Sequence, residues 1–403
     1  MAGIPIDDLE CGMVPTHDIV GKNGRLLVAG GVTLGPSHLR ILRIWGVTEV
    51  EVTASGPQDV REPETDPARL AAARDQANAQ FRLTDREHPA MAELFRLRVV
   101  ALATAEPPIP DFQADPGDDN APLPPAPPDP EALIAADPSL ASFSDVYFRL
   151  QEALDDPAAS AGRMAEIIGR DPGLAASLLR LANSPFYGFS KRIDSLTRGV
   201  MLIGAGELAL LALGISVAGK FQNLPPGCVT LRQTWEHAVG CGVLARLLAT
   251  QIRGLPQERA FVAGLLHDTG RLVLLRLLPR HMARVVRVAR EEALPLRRAE
   301  QAVLGYDHAA VGRTLLTRWS LPPGLCAAVG DHHAPDGADP DTALVHLANC
   351  MAISQAIGAN GSPLVPPLEP VAWTALGLPV SSLAVALSQA RRQVSDLVAM
   401  LAV

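Results

Sequence analysis

The chain has 403 residues, 48% of them hydrophobic but only 4% aromatic, with a formal net charge of −8. That length gives room for two or three domains, and that apolar content excludes a wholly disordered chain. The acidic balance excludes a broad electrostatic footprint for nucleic acid or for an anionic membrane surface.

The N-terminus, MAGIPIDDLECG, has neither a basic nor an apolar leader region, so no signal peptide and a cytoplasmic location are expected. The five Cys (Cys11, Cys228, Cys241, Cys326, Cys350) form no C-x-x-C and read as buried free thiols in a reducing compartment. Residues 10–104 read as a small α+β module. HDIVGKNGRLLVAGGVTL alternates around Asn23-Gly24, a hairpin turn signal because both positions tolerate positive φ. Gly35-Pro36 opens a short helix, VTEVEV reads as a strand, and DPARLAAARDQANAQF and PAMAELFRLRVVALAT follow as helices. Residues 105–131 hold ten prolines between Pro107 and Pro130, the signature of an extended spacer.

From about Ala132 onward the spacing predicts helices almost throughout. Asp171-Pro172 is a cap followed by Pro at the first helical position, opening GLAASLLRLANS, which Asn183-Ser184-Pro185 ends. Ile193-Asp194-Ser195 starts another. GVMLIGAGELALLALGISVAG is interrupted by Glu207 and reads as a buried helix, too short to span a bilayer. TWEHAVGCGVLARLLATQI and ERAFVAGLLHDTG are two further helices. The Arg-rich run RVVRVAREEALPLRR reads as the solvated face of an amphipathic helix.

Within GLLHDTGRLVLL, His267 and Asp268 stand side by side in an apolar segment. Imidazole and carboxylate both suit transition metals. Adjacent residues on a straight helix diverge by about 100°, so the two converge on one ion only at a helix end or kink, for which Gly270 is the candidate. His237 lies on the preceding helix, and His308 and His332-His333 on later segments. His281 and His346 have no evident partners in the sequence, and His17 and His38 read as ordinary core or surface residues.

The run DPAASAGRMAEIIGRDPGLAASLLRLANSPFYGFSKRIDSLTRGVMLIGAGEL, followed in order by WEHAVG, FVAGLLHDTGRLVL, GYDHAAVGRTLLTRWSLP and GDHHAP, resembles the HDOD domain of bacterial signalling proteins. NGRLLVAGGVTLGPSHLRILRIWGV is similar to a small unit found ahead of HD-GYP domains. The resemblance implies a mainly α protein: an all-helical HD-like (HDOD) domain at 132–335, preceded by the α+β module and followed by C-terminal helices, 336–403, packing on it. It also implies a ligand set. In the HD superfamily a His on one helix, a tandem His-Asp on the next and a later Asp hold the metal. His237, His267 and Asp268 match the first three positions, Asn349 stands at the last, and His308, His332 and His333 fall where HD-GYP enzymes place further ligands. Fe, Mn, Ni or Zn would suit such donors.

Arg271 stands where a Lys often follows the HD pair, and Arg does not serve as a proton donor at neutral pH. The GYP tripeptide is absent. The expectation is therefore a cytoplasmic signal-transduction protein, its HDOD domain an interaction module for other signalling proteins or a nucleotide second messenger, with a divalent metal and no assigned catalytic residue. The alternative is a metal-dependent phosphohydrolase or cyclic-dinucleotide phosphodiesterase. Neither nucleic acid nor a membrane is an expected partner.

Overall fold

The computed structural model describes residues 4–10, 13–20, parts of 26–52, 67–104 and 125–400, with breaks at 144, 157–159, 185, 190, 222–229, 338, 360 and 363. Two compact units divide at residues 69 and 70.

In the first unit, β1 (Ile4–Pro5) pairs antiparallel with β4 (Glu49–Val50), and β2 (Ile19–Val20) with β3 (Leu26–Val28), in the registers Ile4↔Val50 and Ile19↔Val28. β2 and β3 flank the expected hairpin; its turn, Asn23-Gly24, lies outside the described residues, as does Pro36. Leu9, Ile19, Leu27, Val28, Leu34, Leu39, Leu42 and Val50 form a small core of their own.

The second unit is helical. α1 (Pro67–Gln80), α2 (Pro89–Thr104), α3 (Pro130–Ala135), α4 (Asp145–Asp155), α5 (Ala161–Gly169), α6 (Pro172–Ala182), α7 (Leu196–Ile203) and α8 (Ala205–Gly219) lead to the central α9 (Leu231–Ala249). Then come α10 (Gln257–Leu266), α11 (Thr269–Leu277), α12 (Pro279–Glu291), α13 (Leu296–Leu304), α14 (His308–Arg318), α15 (Pro323–Asp331), α16 (Pro340–Ser354), α17 (Pro370–Leu376) and α18 (Ser381–Met400).

Local chemistry sets several of these boundaries. Asp171 Oδ1 accepts the Leu174 N–H at 3.0 Å and starts α6; Ser195 Oγ accepts from Arg198 and starts α7. Thr230 and Gln233 form a reciprocal capping box at the head of α9. Asn183 does more than end α6: its Nδ2 donates to the carbonyls of Leu179 and Ile193, and its Oδ1 accepts the Ile193 N–H at 2.7 Å. One side chain thereby fixes the chain that leads into α7.

Four sequence expectations change here. First, the helix 67–80 from Leu70 onward and the whole helix 89–104 fall in the second unit. Phe81, Ala90, Met91 and Leu94 are buried in the main helical core, and α2 packs on α16 and α18. Second, the tail of the Pro-rich segment is not a free spacer. His281 Nε2 donates to Pro125 O and Tyr306 Oη to Pro128 O, seating 125–128 on the helical unit; residues 105–124 lie outside the described residues. Third, GVMLIGAGELALLALGISVAG is two helices, α7 and α8, bent by 115° at Gly204, whose φ is +105°. α8 is largely buried, but Met201 and Leu202 of α7 are exposed. Fourth, ERAFVAGLLHDTG is not one helix, because α10 ends and α11 begins around the His267-Asp268 pair.

Among the described residues no single helix is long and apolar enough to cross a membrane, although α7 with α8, and α17 with α18, pass together as bent pairs.

Candidate metal centre

Glycines let the helices that carry the site come close. A Cβ at Gly264 on α10 would lie 2.7 Å from Cys241 O and 2.8 Å from Gly242 Cα. The backbones of α9 and α10 are therefore in contact, which sets His237 and Cys241 beside His267. Gly270 has the same role between α11 and α14: a Cβ there would overlap His308 O and the Gly312 nitrogen. The break at the HD pair is one residue-pair earlier than Gly270. His267 keeps helical angles (φ −55°, ψ −36°), while Asp268 turns to φ −97°, ψ 14°. Gly270 serves close packing rather than the kink.

These contacts gather His237, His267, Asp268, His308 and His332, none more than 3% exposed, with His333 half-buried beside them. Ligand-type atoms cluster within 4.8 Å in three overlapping groups: His237, Cys241 and His267; His267, Asp268 and His332; His308, His332 and His333.

Backbone carbonyls orient the rings. His267 Nδ1 lies 2.7 Å from Gly264 O, and His332 Nδ1 2.7 Å from Val329 O. A carbonyl only accepts, so both Nδ1 atoms carry the proton and both Nε2 atoms present a lone pair. The His267 Nε2 lone pair is buried without a hydrogen-bond partner. His237 Nε2 stands 3.7 Å, and His267 Nε2 3.5 Å, from Asp268 Oδ2. This is the manner in which proteins prepare imidazoles for a metal, with the second ring nitrogen held by a carbonyl. Asn349 lies on α16, which packs on α9 and α10; its Oδ1 is buried and unpartnered.

Two residues outside the expected set complete the electrostatics. Arg271, 2% exposed, donates through Nη1 to Asp268 Oδ2 at 2.5 Å, and its Nη2 stands 3.0 Å from His308 Nδ1. Glu300, fully buried on α13, accepts the His308 backbone N–H at 2.9 Å and lies 2.5 Å from His308 Nδ1. Burial alone would raise the Asp268 carboxyl, but Arg271, His267 and His308 outweigh it and hold it well below the usual carboxylate range. Burial and Arg271 oppose a charge on His308, yet Glu300 and Asp268 lift it to about 9. Burial pushes His237 down to about 3 and also lowers His267, His332 and His333. Two carboxylates thus face one guanidinium and one imidazolium, with neutral imidazoles around them.

The sequence left some of this visible. Glu300 interrupts the apolar stripe Leu296, Ala299, Leu304 of its helix, and Cys241 lies four residues after His237 on the same helical face. His346 and His281, expected to lack partners, have them. His346 Nδ1 donates to His332 O and its Nε2 accepts from the Glu369 N–H; His281 binds Pro125 O.

The HDOD domain family model matches residues 140–335. Those residues are an HDOD domain. The span covers the carriers of His237, His267, Asp268, His308, His332 and His333, and stops short of Asn349. The chain is also similar in fold to an HDOD domain protein of unknown function from Geobacter sulfurreducens: 23% identity, TM-score 0.56, 68% of this chain and 95% of that one. A proposed phosphohydrolase from Shewanella amazonensis SB2B gives 22% and 0.53 over 67% and 98% of the two chains. A proposed signal transduction protein from Marinobacter aquaeolei VT8 gives 21% and 0.52 over 76% and 73%. At these identities the likeness is one of fold. An uncharacterized protein of Treponema pallidum (strain Nichols) is 26% identical over 206 residues, 50% of this chain; the match spans 39% of that protein's length.

The donor set fits a divalent ion. The unpartnered His267 Nε2 is a neutral donor common to two of the groups, and it would hold the ion either with His237 and Cys241 or with Asp268 and His332. When bound, such an ion would supply Lewis acidity toward a phosphoryl oxygen.

Proposed function

We propose that this chain is a cytoplasmic signal-transduction protein whose HDOD domain is a protein-interaction module, and that its buried histidine cluster is a structural or regulatory centre without robust catalysis. One observation carries this reading: the Arg271 guanidinium lies on Asp268 Oδ2 inside a site whose HD pair is 3% exposed or less. Hydrolysis needs a metal-bound water and a place for the phosphoester beside it. Here the carboxylate that would help hold the ion is paired with a fixed cation, and that cation, Arg271, keeps its proton where a Lys often follows the HD pair. The partners proposed are other signalling proteins, with a nucleotide second messenger as the small-molecule candidate. The likeness in fold to the Marinobacter protein is consistent with this.

A second reading, a metal-dependent phosphohydrolase or cyclic-dinucleotide phosphodiesterase, is favoured by the unpartnered His267 Nε2 and by the likeness to the Shewanella protein. Hydrolysis assays separate the two. The full chain, supplied in turn with Mn²⁺, Fe²⁺, Ni²⁺ and Zn²⁺, is offered a cyclic dinucleotide and a chromogenic phosphodiester. The interaction-module reading expects no turnover that depends on His267. Turnover abolished by His267→Ala would overturn it in favour of the second reading.

A further inference from the structure

Away from the histidine centre, one buried cation lacks a counter-charge. Arg98 of α2 is 2% exposed. Its Nε donates to Gln80 Oε1 at 2.9 Å, while its Nη1 is buried with no hydrogen-bond partner. The charged group that acts on it is a second guanidinium, Arg391 of α18. Burial and that like charge push Arg98 down to about 10, so it still carries its proton at neutral pH. Arg391 is exposed, and its Nη2 donates to Gln355 Oε1 at 3.2 Å. Gln355, 5% exposed, donates in turn through Nε2 to Leu94 O at 3.1 Å. Leu94 lies one turn before Arg98, so Gln355 ties Arg391 to the helix that carries Arg98. Among the described residues neither guanidinium pairs with a carboxylate.

Burying one guanidinium beside another is expensive unless an anion answers them. The planar fork of each matches oxyanions, taking two oxygens at a time. We propose that Arg98 and Arg391 form a binding site for a phosphate group, with Gln80 and Gln355 orienting the two guanidiniums. Two unpaired cations match a phosphate dianion, whereas a carboxylate would neutralise only one of them. Arg98 is the floor of the site and the exposed Arg391 its mouth. All four residues lie outside 140–335, so the site belongs to the helices before and after the HDOD domain. α2 and α18 pack on each other, and an anion held between their arginines would tie these two flanking segments together.

The site is independent of how the histidine centre is read, and it involves binding only. The full chain, in a phosphate-free chloride buffer, is titrated by calorimetry with inorganic phosphate and, separately, with AMP. The expected result is one equivalent of at least one of these bound, unchanged when EDTA is present. Tighter binding of inorganic phosphate identifies a free-phosphate site; tighter binding of AMP identifies a phosphomonoester site. In both cases affinity falls about tenfold or more in Arg98→Met and in Arg391→Gln. Arg391→Gln changes an exposed position, and it decides the matter should Arg98→Met not fold. Three results would overturn the site: neither anion bound by wild type, binding unchanged in Arg391→Gln, or binding lost with EDTA, which would place the phosphate on a metal ion instead.

Discussion

Arg271 and Asp268 form an i,i+3 ion pair at 2.5 Å across the start of α11, with both side chains 3% exposed. A pair this deep is not held in place by surface electrostatics. Desolvating both charges is expensive, and the attraction offsets that only because Glu300 and His308 satisfy the remaining charge around them.

Removing one member of such a pair strands the other. Arg271→Met leaves Asp268 and Glu300 facing each other with His308 as the one cation among the side chains described here, and is expected to destabilise the domain by about 3–5 kcal/mol. Arg271→Lys keeps the charge but loses the planar fork, and should fall between wild type and Met. Urea denaturation of the three metal-free proteins measures this.

Gly270→Ala tests the close approach of α11 and α14. The added methyl would overlap His308 O, a backbone atom that moves only with its helix. Overpacking of this kind typically costs about 1–3 kcal/mol and sometimes more. The variant should melt well below wild type, and His308 should show altered ring signals by NMR in whatever fraction remains folded.

His346 makes the domain acid-sensitive. Its neutral ring accepts the Glu369 N–H at 2.9 Å and donates to His332 O at 2.8 Å, so a second ring proton would face a backbone N–H. Burial is the main cause that lowers it, from 6.5 to about 4. With the folded value below the unfolded one, the unfolded chain takes up the proton first as the pH falls. The neutral ring's contribution is full above pH 6.5, declines through the window from 6.5 to about 4, and is gone below it. The displacement corresponds to roughly 3 kcal/mol. His346→Gln, which can still accept from Glu369 and donate to His332, should flatten the stability profile across that window. An unchanged slope in denaturation midpoints from pH 4 to 7 would contradict this assignment.

Asn183→Ala removes two donated bonds to Leu179 O and Ile193 O and the acceptor for the Ile193 N–H. Leaving partly buried backbone groups unpaired costs about 1–3 kcal/mol. The loss should appear first as faster amide exchange at Ile193 and in α7, before global unfolding.

How much of this was legible in the sequence follows from the range of each signal. The caps at Asp171 and Ser195 act over three residues, and they sit at the observed helix starts, whereas α9 begins at Leu231, before the Thr234 at which its sequence pattern starts. The HD pair and its histidine companions were visible as residue types along the chain, and the structure gathers them. The attachment of α2 to α16 and α18 was not legible, because an apolar helix face does not say which partner it buries against. The short-range pattern also passed over the bend at Gly204, since the segment is apolar on both sides of it. Glu300 reaches His308 from eight residues away through the turn between α13 and α14, and Arg271 points back at Asp268 because α11 begins there. Both depend on where helices end. Cys241 was overlooked for a different reason: its spacing from His237 was available, but a lone thiol on a buried helix is ordinary until a second donor is seen beside it.

The most direct measurement is a crystal structure of the full chain loaded with zinc, with the ion located by anomalous scattering. A non-hydrolytic centre predicts at most one ion, with the Arg271 guanidinium still on Asp268 Oδ2. Two ions bridged by a water, with Arg271 turned away from Asp268, would contradict it and identify the centre as a hydrolase site.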